Sequence, residues 1–139
     1  MGKCMRRIVL FLCCICALIL SVSCSVRKLK TEKLRDLEFV VVKEEEIPEE
    51  LQEMIVKHKE KVMKLSYADQ GVLYIVEGYG RQETSGYSIE VKGCYESENA
   101  IYFHTNLIGP SPNEKRIETE TFPYIVVKLQ DVEKQIVFQ

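Results

Sequence analysis

The chain contains no tryptophan and two histidines. Past residue 24 it holds one cysteine, Cys94. A single thiol forms no internal disulfide, so the folded part must be held by its core alone. Two histidines leave few sites for acid–base or metal chemistry. A basic excess is missing as well. Of 19 basic residues three lie in the first 24, which carry no acid, and the sixteen that remain face 21 acidic ones, a net charge of −5. That balance argues against a nucleic-acid binder, which would show a basic face. Nor is there an internal repeat or a low-complexity stretch. At 139 residues the chain is one domain with appendages.

The other five cysteines, Cys4, Cys13, Cys14, Cys16 and Cys24, sit in a leader. Met1 to Arg7 is basic, Ile8 to Leu20 is a run of 13 apolar residues, and small residues follow at Ser21, Val22 and Ser23. Basic, apolar, then small is the order of an export signal. A spanning helix needs about 20 apolar residues, so a core this short suits a signal better. Cys24 directly after the small residues resembles the lipidated cysteine of a bacterial lipoprotein signal. Three outcomes stay open: lipidation at Cys24, an uncleaved anchor over Ile8 to Val26, and simple cleavage. Each places the rest of the chain outside the cytoplasmic membrane, and the first two tether it to the outer face of that membrane. Residues 25–36 (S-V-R-K-L-K-T-E-K-L-R-D) read as a basic tether, solvated or lying on anionic lipid.

From Leu37 the patterning is that of a folded domain, 37–139. Leu37 to Lys43 is rich in β-branched residues and predicts a strand. Pro48, Glu49 and Glu50 suit a helix start. Leu51, Met54, Ile55, His58, Val62 and Leu65 come next at helical spacing, which predicts an amphipathic helix over Glu49 to Leu65 with His58 on its apolar face. Val72 to Val76 (V-L-Y-I-V) is a central strand. Glu77 to Ser85 is a loop with two glycines. Tyr87 to Gly93 alternates, Glu96 to Asn99 is a hairpin turn, and Ala100 to Leu107 is a further strand. A proline-rich loop, Ile108 to Lys115, leads through a weakly alternating Arg116 to Thr121 into a strand at Thr121 to Leu129. Ile136 to Phe138 adds an edge strand. Strands joined by short turns pair antiparallel. The expectation is an α+β domain: one amphipathic helix packed on a small curled antiparallel sheet of about five to six strands.

Candidate chemistry is thin. Ser88 lacks the glycine two places on that a serine nucleophile elbow shows, and the residues after it alternate as a strand. A Cys94–His104 pair across adjacent strands would want an orienting third group that the sequence does not supply. No acidic run has ion-loop spacing, and Gly78-Tyr79-Gly80-Arg81 lacks the lysine of a phosphate loop. No catalytic residue, metal or cofactor is expected. The stretch E-T-S-G-Y-S-I-E-V-K at 83–92 reads as a turn entering a strand, with Gly86 supplying a backbone angle that other residues avoid.

Three segments carry a resemblance. T-S-G-Y-S-I-E-V-K at 84–92, I-G-P-S-P at 108–112 and T-F-P-Y-I-V-V-K-L at 121–129 resemble the C-terminal domain of the PrcB protease-complex subunit family. The likeness runs from about Leu73 to Leu129. Ser85 stands where that family shows the first of two glycines, and Phe122 where it shows a tyrosine. The resemblance implies an accessory, lipoprotein-like subunit of a secreted protease and a role in binding, not catalysis. The expected contact surface is two irregular loops, with Tyr79, Arg81, Thr84, Gly86 and Tyr87 in one and Pro110, Pro112, Asn113 and Tyr124 in or near the other. Tyrosine and arginine favour interfaces, and loops on a rigid sheet are usual sites. The expected partner is a secreted protease or another cell-surface protein. An inhibitor-like or small-ligand-binding lipoprotein is the alternative.

Overall fold

The computed structural model describes residues 29–139, together with residues 2, 3 and 5. The rest of the leader, with Cys24, and residues 25–28 of the tether lie outside the described residues. The elements are β1 (Arg35–Asp36), β2 (Val40–Val41), a 3-10 turn (Glu44–Glu46), α1 (Glu49–His58), β3 (Val62–Asp69), β4 (Val72–Tyr79), β5 (Ser88–Glu96), β6 (Ala100–Ile108), β7 (Tyr124–Gln130) and β8 (Gln135–Phe138).

They form a helix on a sheet on a sheet. One four-stranded sheet has the order β1-β5-β6-β8, the other β2-β7-β4-β3. All neighbours pair antiparallel except β6 and β8, which run parallel. Leu73, Ile75, Val127 and Leu129 from one sheet meet Cys94, Ile101 and Phe103 from the other. The opposite face of the second sheet offers Met63, Val76 and Val126 to Leu51 and Ile55 of α1. β4 is therefore covered on both faces, which is why its sequence reads as an apolar run and not an alternation. Val40 and Val41 pair with Lys128 and Val127, while Arg35 and Asp36 pair with Glu96 and Tyr95. The chain thus turns a corner between the sheets at 37–39, with Leu37 buried in it.

The α+β class holds, with three corrections. The expected single antiparallel sheet of five to six strands is two sheets with eight strands among the described residues, and β6 and β8 pair parallel. The strand expected over Leu37 to Lys43 is divided between β1's neighbourhood and β2, since its residues serve both sheets. The helix ends at His58, not Leu65. Residues 62–69 (V-M-K-L-S-Y-A-D) also alternate, and Met63, Leu65 and Tyr67 face α1. Gln70 and Gly71 both take positive φ, 46° and 80°, and join Asp69 to its partner Val72 as a two-residue hairpin. An eight-residue ladder with β4 then satisfies backbone groups that a longer helix would have left open at that edge. His58 is consequently exposed at the helix end instead of facing the core. The described part of the tether, residues 29–36, is docked. Arg35 Nε donates to Glu96 Oε2 at 2.6 Å, and the Lys30 amide donates to Asn99 at 3.1 Å.

Candidate partner-binding surface at the loop end

Two connections leave the same end of the sandwich: residues 80–87, between β4 and β5, and residues 109–123, between β6 and β7. Adjacency of β4 with β7 and of β5 with β6 brings them together. Gln82 and Thr121 exchange backbone hydrogen bonds of 2.8 and 3.0 Å. Thr121 Oγ1 donates to the Thr84 carbonyl at 2.7 Å. Further out, the Ser85 amide donates to the Ile117 carbonyl at 3.0 Å, and the Ile117 amide donates to Ser85 Oγ at 2.8 Å. Arg81 Nη1 donates to Glu120 at 3.1 Å, and its other terminal nitrogen lies 3.7 Å from Glu60. Gly86 has φ +91°, and a Cβ there would stand 2.8 Å from Pro110 Cβ. Gly109 lies against the Tyr87 ring.

Arg81, Thr84, Gly86, Tyr87 and Pro110 are thus brought to one end of the fold. Gly86 serves close approach between the loops. Pro112 and Asn113 sit at the tip, in a turn closed by the Glu114 amide donating to the Ser111 carbonyl at 3.0 Å. Residues 111–120 are all exposed. Tyr79 and Tyr124 stand apart from this surface. The Tyr79 hydroxyl donates to Thr105 Oγ1 at 2.7 Å, and that hydroxyl in turn donates to Glu77 Oε2 at 2.8 Å. Glu77 is 4% exposed and also faces Lys64 Nζ at 3.5 Å. This chain of polar groups links the two sheets beneath the loops. Tyr124 lies on the α1 side, in a groove of about 340 Å³ with Val41, Ile47 and Phe122. Burial, and then the nearby Glu44, push its hydroxyl pKa up.

The residues that sequence reasoning missed are Glu60, Gln82, Ser85, Ile117, Glu120 and Thr121, the partners that join the loops. The weak alternation of 116–121 was the available signal, since Ile117 and Thr121 are the positions that bond across. Glu77 was also missed. An acid directly after five apolar residues, within a stretch that reads as a loop, was the hint.

Cys94 and His104 are not a pair. Cys94 opposes Phe103 and shares its inward face, while His104, the next residue, is exposed on the other side. Burial, and then Asp36, push the Cys94 thiol pKa up to about 11, so it is neutral and unreactive near pH 7. Glu96 is a second ionic node. Lys134 Nζ donates to it at 2.6 Å and Arg35 at 2.6 Å, and these bonds hold its carboxyl below the usual carboxylate range. It ties β1, the β5–β6 turn and the approach to β8, away from the loop end. Among the described residues no group of three His, Cys, Asp or Glu side chains is placed to hold a metal ion. No helix among them is long and apolar enough to cross a membrane.

Residues 73–130 match the model of the PrcB C-terminal family. The matched segment runs from β4 to the end of β7 and includes both loops. No curated protein and no solved structure matches the chain.

Proposed function

We propose that this chain is a non-catalytic accessory subunit, tethered outside the cytoplasmic membrane, whose loop end binds and assembles or stabilises a secreted or cell-surface protease. The observation that carries the reading is the mutual bracing of the two loops within the family-matched segment. Bonds between Gln82 and Thr121, Thr84 and Thr121, and Ser85 and Ile117 hold them as one surface. A preorganised surface loses little conformational freedom on docking. It offers arginine, tyrosine and proline side chains over a sheet that does not need to move. Arg81, Thr84, Tyr87, Pro110, Pro112 and Asn113 are the contact residues in this reading, with Gly86 setting the loop spacing. The tether is the leader, by lipid on Cys24 or by an uncleaved helix.

The test is affinity purification of the full-length protein from native membranes after mild cross-linking, with bound chains identified by mass spectrometry. A secreted protease in near-equal amount supports the reading. Its activity separates assembly, in which the protease is active, from inhibition, in which it is silent until released. A lone protein, or a protease held equally by Arg81→Ala/Asn113→Ala, overturns it.

A further inference from the structure

The outer loop has a second property, which stands whether or not the loop end binds a partner. Residues 111–120 form an unbroken exposed segment, and at its centre lies Lys115-Arg116-Ile117. Among the described residues Lys115 and Arg116 take part in no ion pair or hydrogen bond. Ile117 is 67% exposed although it is apolar, while its backbone is fixed on Ser85 through both its amide and its carbonyl. The other basic residues of the domain are placed differently. Lys57 lies in α1, Lys59 caps it and lies over the Phe122 ring, Lys64, Lys92 and Lys128 lie in strands, and Arg81 and Lys134 are ion-paired. Lys43 and Lys61 adjoin short turns beside buried Val42 and Met63. Endoproteases bind substrate as an extended segment, so exposed loops are cut and ordered elements are spared, and at Ile117 only the two bonds to Ser85 have to open for the segment to extend.

The geometry points to Arg116–Ile117 as a cleavage site for a serine endoprotease with an acidic specificity pocket, cut while the domain stays folded, with both pieces remaining together. Arg116 supplies the guanidinium for that pocket. The enzyme's serine adds to the Arg116 carbonyl carbon, the C–N bond to Ile117 breaks as the Ile117 amine leaves with a proton, and water then hydrolyses the acyl-enzyme ester, which leaves a carboxylate on Arg116 and an ammonium on Ile117. That ammonium can keep donating to Ser85 Oγ, as the amide does at 2.8 Å. Downstream, Thr121 stays bonded to Gln82 and Thr84, β7 stays between β2 and β4, and β8 stays beside β6. The C-terminal piece therefore contributes a strand to each sheet and has no route out short of unfolding. Upstream, the arm from Ser111 to Arg116 loses its downstream tie and swings free.

The experiment is limited digestion of the full-length protein in detergent with trypsin as the probe. Intact-mass analysis and N-terminal sequencing of the fragments come next, with gel filtration in buffer and in concentrated urea. Trimming of the tether is expected and does not divide the domain. Beyond residue 36 the first cut is expected to give a piece beginning Ile-Glu-Thr. It should co-elute with the larger piece in buffer and separate in urea. Lys115→Gln/Arg116→Gln, two exposed positions without side-chain partners, should keep the same thermal unfolding midpoint and lose this cut at least tenfold in rate. A first internal cut elsewhere, no internal cut, separation of the pieces in buffer, or unchanged cutting of the variant overturns the assignment.

Discussion

Gly86→Ala probes how the two loops are held. The substitution adds one methyl group, in two unfavourable ways. At φ +91° an L side chain meets its own backbone, which costs about 1–3 kcal/mol. The new Cβ also stands 2.8 Å from Pro110 Cβ, where roughly 3.5–4.0 Å is the comfortable carbon separation. A proline ring does not rotate away, so the 109–116 arm must shift. The cheapest relief is loss of the neighbouring bonds between Ser85 and Ile117, at about 1 kcal/mol each. These routes compete and do not add fully, so a net loss of about 2 kcal/mol is expected. For a domain near this size that is roughly 8–16 °C in melting temperature. Differential scanning calorimetry of the parent and variant supplies the shift. Amide hydrogen exchange at Ile117 supplies the local effect, expected to quicken well before global unfolding. An unchanged midpoint together with unchanged exchange at Ile117 would refute the claim that Gly86 sets the loop spacing.

Three further outcomes can be checked independently. Thr105→Val keeps the shape but leaves the buried Glu77 Oε2 and the Tyr79 hydroxyl without their shared partner, with Lys64 still facing Oε1, and urea titration should show a loss of about 1–3 kcal/mol. For Glu96 the folded carboxyl is depressed by Lys134 and Arg35, so its contribution is present above the ordinary carboxylate pKa and fades as pH falls through the lower folded value. Glu96→Gln should therefore be less stable than the parent at pH 7, with the difference shrinking under acid, as thermal melts at stepped pH will read. Cys94 should resist a disulfide reagent at pH 8 in the native state and react at once in denaturant, because burial holds its pKa near 11.

The strand positions of the matched segment were legible in the sequence. β4 through β7 lie on the apolar runs and alternation that predict them, but β4 runs on to Tyr79 through residues that read as loop, and β7 begins at Tyr124, not Thr121. Legibility failed where two periods overlap. Residues 58–65 fit a helical face through His58, Val62 and Leu65 and a strand face through Met63 and Leu65, and the ladder with β4 decided between them. One sheet or two was not legible either. Leu37 to Lys43 reads as a continuous strand whether it serves one sheet or turns between two. Within the candidate site, Gly86 and Arg81 were visible as residue types, but their partners Pro110, Glu60 and Glu120 depend on β4 lying beside β7, a tertiary fact. Tyr79 looked like an interface tyrosine because its partner, Thr105, is 26 residues away on the other sheet.

Docking through the loop end is read by placing one photo-reactive residue at a time in the full-length protein, at Asn113 on the loop tip and at Lys57 on the outer face of α1, and irradiating native membranes. Docking at the loop end gives a protease adduct from Asn113 and none from Lys57. An adduct from Lys57 alone, or none from either position, contradicts the loop end as the docking surface.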